Sequence, residues 1–393
     1  MKIRLEYSLL MSFLVGLFVA HVIPVKISLF LMIVDGFVSV FMLLAPFIVF
    51  LIVFNSACSL MANRKVAGRV IESSMVFFAS LVVSCSLFAS ALLSFLLPSS
   101  TSPVWFSDQT FFHVSQIVLT SLARPVTVAL FLGVAFALGF SYTPFFQRFT
   151  DLSKRVQKAQ EQAFNLVLRV FPIITMSLGA SLYYNLGKVS MEAYAVSMML
   201  TMLFGVAALA ILFIFVARLT RREPRGLAQY STRMFATGLS VGSSYVILPL
   251  ALKTFREHFD ADSSVGDLVL TLGASVNRCG SVMGVLIVTF VAAHYTAVAI
   301  SWQQMLLLAI PVALIGFGSP GIQGGTLLVA MPVILPVISP SDGMRFVAVA
   351  LAMFVGGTTF IQAAVNTVAS GYIALLVDNS TRAQSRSACL AKA

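Results

Sequence analysis

The chain has 393 residues, of which 59% are apolar and only 10% charged, and its mean hydropathy is +0.98. Soluble domains carry about 25% charged residues, which excludes a soluble enzyme or nucleic-acid binder, and at about 20 apolar residues per crossing the length admits roughly eight to ten membrane spans. The net charge of +11, from 25 Lys and Arg against 14 Asp and Glu, reports topology on such a chain rather than a polyanionic partner.

In chain order, Met1-Lys2-Ile3-Arg4 ahead of the apolar stretch Ser8 to Val25 has the outline of a signal peptide. No small-residue cleavage site follows, so it is predicted as a retained first span. Charge-poor stretches then predict six helical spans before residue 226, over 7–24, 29–60, 66–97, 111–143, 158–186 and 191–218, because a backbone in lipid must satisfy its own hydrogen bonds. Basic clusters at Lys2/Arg4, Arg64/Lys65/Arg69, Arg148/Lys154/Arg155/Lys158, Arg218/Arg221/Arg222/Arg225 and Arg382/Arg386/Lys392 recur after every second crossing. That pattern predicts cytoplasmic N- and C-termini in a multi-pass protein of the cell membrane. Arg124, ahead of Pro125, and Arg169, ahead of Phe171-Pro172, read as interfacial anchors.

The C-terminal part departs from simple crossings. Basic residues stand on both sides of the apolar stretch 234–252, whose centre Gly238-Leu239-Ser240-Val241-Gly242-Ser243-Ser244 is rich in small residues. Each flanking half is too short to span, which predicts a re-entrant helical hairpin. A span ending near His294 follows, interrupted by Asn277-Arg278-Cys279-Gly280-Ser281. Two further apolar halves, 303–315 and 326–338, flank a Gly- and Pro-dense segment from Gly316 to Gly325 that breaks a helix, giving a second hairpin that enters from the other face. Irregular backbone at membrane depth is tolerated where it lines a cavity, so the two tips mark a binding site. The order hairpin, span, hairpin, span is an inverted repeat of the kind built into secondary transporters. The alternative for each hairpin is one kinked transmembrane helix. Cys58, Cys85, Cys279 and Cys389 form no CxxC pair and His21, His113, His258 and His294 no HxxxH pattern. No disulfide framework, metal centre or cofactor is therefore expected.

Several stretches resemble the dicarboxylate/amino acid:cation symporter family, the glutamate-transporter homologues. Gly242-Ser243-Ser244-Tyr245-Val246-Ile247-Leu248-Pro249 resembles the family's serine-rich tip followed by Leu-Pro, and Leu272-Gly273-Ala274-Ser275-Val276-Asn277-Arg278-Cys279-Gly280-Ser281 resembles its Leu-Gly-Ala-Thr-x-Asn-Met-Asp-Gly-Thr. Gly318-Ser319-Pro320-Gly321, running on to Met331, is similar to the second tip, Val365-Asn366-Thr367 to the last helix's Val-Asn-Val-Thr-Gly-Asp, and Leu43-Leu44-Ala45-Pro46 to the second span. The resemblance implies an all-α integral membrane protein with eight transmembrane helices plus two opposed re-entrant hairpins, assembled as a homotrimer. It implies a scaffold within residues 1–225, with spans three and six joining a transport core over 226–380, and a cytoplasmic tail over 381–393. Substrate would sit between the hairpin tips and be carried by an elevator motion.

The resemblance also locates departures. The family's cation-site aspartates fall on Cys279, Ser370 and Val355, and between Asp267 and Asp378 the only acid is Asp342. Arg278 takes the Met position of the Asn-Met-Asp motif. A charge at membrane depth is costly and by default functional, so Arg278 is expected to occupy the place of a bound cation; the alternative is a side chain that snorkels into a polar pocket. The family arginine that pairs with a substrate carboxylate matches Gln362, the aspartate that holds an α-amino group matches Thr359, and Asn366 matches a substrate-contacting asparagine. The expected substrate site is thus Ser243, Ser244, Arg278, Ser281, Ser319, Pro320, Gly321, Thr359, Gln362 and Asn366. The expected cation site, or its replacement, is Gly273, Ser275, Asn277, Arg278, Cys279, Asn366 and Ser370, where sodium has backbone carbonyls left to bind. The reading is a non-enzymatic secondary transporter of small carboxylates or amino acids, with Na+ coupling altered or lost. The alternatives are a conventional Na+- or H+-coupled symporter and a channel-like or receptor-like relative without turnover.

Overall fold

A computed structural model describes residues 5–22, 64–96, 191–319, 325–338, 340 and 342–390, with single positions between 32 and 183. Every described element is helical: α1 (Leu5–Val22), α2 (Arg64–Ser94), α3 (Met191–Thr220), α4 (Pro224–Val241), α5 (Ser244–His258), α6 (Ser263–Val276), α7 (Cys279–Tyr295), α8 (Trp302–Gly318), α9 (Gly325–Ile338), α10 (Gly343–Met353), a π-helical turn (Phe354–Thr358) and α11 (Thr359–Leu390). Among the described residues, Gly68–Ser94, Met191–Thr220, Ser263–Tyr295 and Thr359–Arg382 are long and apolar enough to cross a membrane. Helices α1, α2 and α3 cover the predicted first, third and sixth spans. The spans expected over 29–60, 111–143 and 158–186 lie outside the described residues apart from single helical positions, as do Cys58, His113, Arg124, Arg169, Pro320 and Gly321.

The hairpin expected around 234–252 is the pair α4 and α5, longer at both ends than its apolar centre. It turns at Gly242 and Ser243, where Gly242 adopts φ 69° and its N–H closes on the Gly238 carbonyl at 3.0 Å. A left-handed residue at a helix end is a glycine position because no Cβ collides there. The second pair, α8 and α9, packs leg to leg, and the Gln304 Nε2 donates to the Val337 carbonyl at 2.7 Å across its base. Each hairpin precedes a long helix interrupted along its length, α6/α7 at Asn277-Arg278 and α10/α11 at the π turn. Helix starts carry their polar caps: Asp262 accepts from the Ser264 N–H at 2.8 Å, Ser301 and Gln304 form a capping box, and Asp342 accepts from the Arg345 N–H at 3.0 Å.

Packing is organised around α11. The first hairpin, α6 and α11 bury one apolar cluster, joined by Val70 and Phe78 of α2 and Val216 of α3. Helices α2 and α7, the second hairpin and α10 bury another, to which α11 contributes Val365 and Ala369. The break at Asn277-Arg278 stands at their boundary. Helices α2 and α3 both pack onto this core, α2 against α7 and α8 and α3 against α7 and α11. Polar ties close one end. Asp378 is 2% exposed and accepts from the Asp262 N–H at 3.2 Å and from Arg382 Nε at 3.1 Å, while Arg222 and Arg382 both donate to the Asp260 carbonyl at 2.9 Å. Arg256 forks onto both oxygens of Asp267, joining α5 to α6.

The first hairpin comes close to the α11 backbone at Gly238, where a methyl group would collide with the backbone of Ala364; at Gly226 on the same helix a methyl meets nothing within 4 Å. Gly238→Ala is therefore expected to lower stability by about 1–3 kcal/mol through overpacking. Gly226→Ala is expected to be neutral or stabilising by up to about 1 kcal/mol. Thermal unfolding of the two variants in detergent tests this; equal midpoints would show that the hairpin is not seated through Gly238.

Candidate substrate and cation site

Where α6 stops, the first N–H groups of α7 lose their intrahelical partners. Two asparagines, one from each interrupted helix, supply replacements. Asn277 Oδ1 accepts from the Cys279 N–H at 3.3 Å, and Asn366 Oδ1, reaching over from α11, accepts from the Gly280 N–H at 2.7 Å. The same two amides donate outward. Asn277 Nδ2 reaches the Asn366 carbonyl and the Ser370 hydroxyl, each at 3.0 Å, and Asn366 Nδ2 reaches the Ser281 hydroxyl at 3.2 Å. The Cys279 thiol points to Asn366 Oδ1 at 3.6 Å. Ser370 donates back to the Asn366 carbonyl at 2.8 Å, and its Oγ lies 2.6 Å from where a Cβ on Gly273 would stand. Gly273, Asn277, Cys279, Ser281, Asn366 and Ser370 are thus one buried network.

The positions where the resemblance implies cation-binding carboxylates hold a thiol, at Cys279, and a hydroxyl, at Ser370, whose hydrogen bonds are spent inside the protein. The third, Val355, lies in the π turn. Ser275 donates to the Thr271 carbonyl at 3.4 Å within α6. Among the described residues no three His, Cys, Asp or Glu side chains converge as a metal site.

Arg278 is 4% exposed, and its Nε and Nη2 have no hydrogen-bond partner. Its guanidinium carbon lies 5.6 Å from the centre of the Tyr245 ring, a cation–π contact. Tyr245 belongs to the first turn of α5, directly after Ser243 and Ser244, so the serine tip and the helix break meet at this side chain. The Ser244 hydroxyl is also buried without a partner. The second hairpin comes to the same place, since a Cβ on Gly316 would stand 3.7 Å from the Cβ of Arg278. Beyond it Ser319 donates to the Gly316 carbonyl at 3.0 Å and accepts from Thr326 at 2.9 Å, joining the two legs.

Gln362 and Thr359 are held within the last helix. Gln362 Nε2 donates to the Thr358 hydroxyl at 2.9 Å, and Thr359 donates to the Phe354 carbonyl at 2.6 Å, a carbonyl that the π turn leaves accessible and that Thr358 also contacts at 3.2 Å. Tyr245 and Thr326 are not among the site residues expected from sequence. Only Tyr245 carried a usable signal, an aromatic ring adjoining the serine tip in a segment that must face a buried cation.

The arrangement leaves one guanidinium with unpartnered nitrogens and an unpartnered Ser244 hydroxyl at the N-terminal, positive end of α7. Chemistry of that kind binds and orients a polar anion. Residues 5–380 match the model of the sodium:dicarboxylate symporter family. The chain is 23% identical over 373 residues to a serine/threonine transporter SstT of Acinetobacter baylyi, covering 90% of this chain and 92% of that protein. It is 22% identical over 377 residues to the SstT of Acinetobacter baumannii strain AYE, covering 90% and 91%. With a family match that spans nearly the whole chain, this multi-pass membrane transporter belongs to the sodium:dicarboxylate symporter family.

Proposed function

We propose that the protein is a secondary transporter of small carboxylates or amino acids, working by an elevator motion, in which Arg278 replaces a bound cation and sodium coupling is altered or lost. The observation that carries this reading is Arg278 itself, a buried guanidinium with two unpartnered nitrogens at the helix break, beside network positions that hold no carboxylate. A buried charge without a counter-ion is costly, and a negatively charged ligand that lends its oxygens to those nitrogens offsets the cost. The two hairpins would re-enter the membrane from opposite faces and gate the site, with residues 226–380 and helices α2 and α3 moving as the transport unit. The remaining N-terminal spans would form the scaffold of a homotrimer, with both termini cytoplasmic. Pro320 and Gly321 would complete the second tip.

A conventional sodium-coupled symporter is the second reading. Membership of the family and the likeness to serine/threonine transporters favour it, and sodium would then rely on backbone carbonyls around Gly273 and Ser275. Ligand-dependent thermal stabilisation decides between the two, measured with amino acids, monocarboxylates and dicarboxylates in sodium and in choline buffers. A shift that persists in choline and vanishes in Arg278→Met is the expected result; one that needs sodium and survives the substitution overturns the fixed-charge reading.

Two more outcomes follow from the same geometry. Because Arg278→Met removes an unpaired buried charge, it is expected to raise the unfolding midpoint of the ligand-free protein, equivalent to about 1–3 kcal/mol, while ligand uptake into proteoliposomes is lost. A lowered midpoint would mean that the guanidinium is a structural tie. Gln362→Arg restores the charge that the family places on the last helix, and charge-assisted hydrogen bonds of this kind are worth about tenfold or more in affinity. The variant is expected to gain that much for aspartate or dicarboxylates, and no gain would remove Gln362 from the pocket.

A further inference from the structure

Resting on the proposed function, we infer that the site selects a small monocarboxylate that carries no ammonium group, rather than a zwitterionic amino acid. The balance of charge around Arg278 is the argument. An arginine does not deprotonate in a protein, so the pocket holds a full positive charge, reinforced by the N-terminal end of α7. The asparagine amides that cap α7 are neutral and fully engaged. Among the described residues the buried acids are Asp267 and Asp378, and both are committed to arginines elsewhere. Asp267 stands eleven residues before Arg278, about 16 Å along a helix, and Asp378 twelve residues beyond Asn366, about 18 Å. Neither can serve as counter-ion at the break.

A monocarboxylate brings one negative charge to one positive charge and leaves the buried site neutral. A zwitterion brings its carboxylate to the guanidinium and then strands an ammonium beside it. A second positive charge in a site of low polarity is paid for only by a carboxylate partner. Thr359, at the position where the family holds an α-amino group, is a hydroxyl whose proton is already given to the Phe354 carbonyl. The unpartnered Ser244 hydroxyl suits a neutral or anionic oxygen. A dicarboxylate would leave the opposite imbalance, since Gln362 provides no second cation.

Two matched pairs isolate the ammonium group: L-glycerate with L-serine, and L-lactate with L-alanine, each differing by hydroxyl against ammonium on one carbon. Isothermal titration of the purified full-length protein with these four compounds, and with glycerate methyl ester as the uncharged control, reads the preference directly. The hydroxy acid of at least one pair is expected to bind tenfold or more tightly than its amino acid, the ester is expected not to bind, and Arg278→Gln is expected to abolish the hydroxy-acid signal. Serine or alanine binding as tightly as its partner overturns the inference, as does silence from all four compounds. If the amino acid wins and its binding is lost in Arg278→Gln, the site reading stands and only the charge selection falls. If any ligand binds Arg278→Gln as it binds the wild type, the site reading falls with it.

Discussion

The Asn366 side chain is the contact on which the rest of the core depends. An interrupted helix exposes amide hydrogens that water cannot reach, and an unpaired buried N–H costs about as much as a lost hydrogen bond. Asn366 takes the Gly280 N–H from another helix and its own backbone carbonyl takes the Asn277 amide. The break in α6/α7 is thereby satisfied only when α11 is in register beside it. Because the first hairpin is seated on α11 through Gly238 and the second adjoins the break through Gly316, the same register sets where both tips fall. The apolar clusters on either side supply most of the burial but say little about register, since aliphatic packing is non-directional.

Given that frame, Arg278 is held rather than accommodated. Its guanidinium faces the Tyr245 ring, and the first turn of α7 adds positive character. The cation–π contact with Tyr245 offsets part of the desolvation, by about 2 kcal/mol. On the proposed reading, such a site is destabilised when empty and relieved when an anion fills it. The geometry thus favours a role for the residue in ligand binding over a role in cohesion.

Much of this was legible in the sequence because the signals were local and chemical. Gly242 beside two serines, the polar run Asn277 to Ser281 inside an apolar helix, and the glycine-proline segment after Ile315 all contradict lipid-facing helix, and each coincides with a helix end. Hydropathy marked the first hairpin too short, because α4 begins at Pro224 with a polar, charged first half. What was not legible was the pairing of side chains. That Thr359 would be spent on a carbonyl follows from the π turn, and a π turn has no sequence signature as sharp as a proline or a capping box. The arginines at 222 and 382, read from sequence as topology signals, also tie α11 to the loop before α6, a second role that only the spatial neighbours disclose.

On the proposed reading, the missing carboxylates at 279 and 370 and the arginine at 278 are one change rather than several. If the carboxylates had stayed at 279 and 370 with arginine at 278, the guanidinium would have found internal counter-ions next to it, and a buried ion pair of that kind closes on itself and binds neither cation nor anion. If the carboxylates had gone without the arginine, the site would hold no charge to orient a carboxylate away from water. Only the combination, neutral at 279 and 370 and positive at 278, leaves a vacancy with the sign of an anion. Electroneutrality in a low-polarity site therefore couples these positions, and on the proposed reading it converts a cation-dependent pocket into one whose cation is built into the chain.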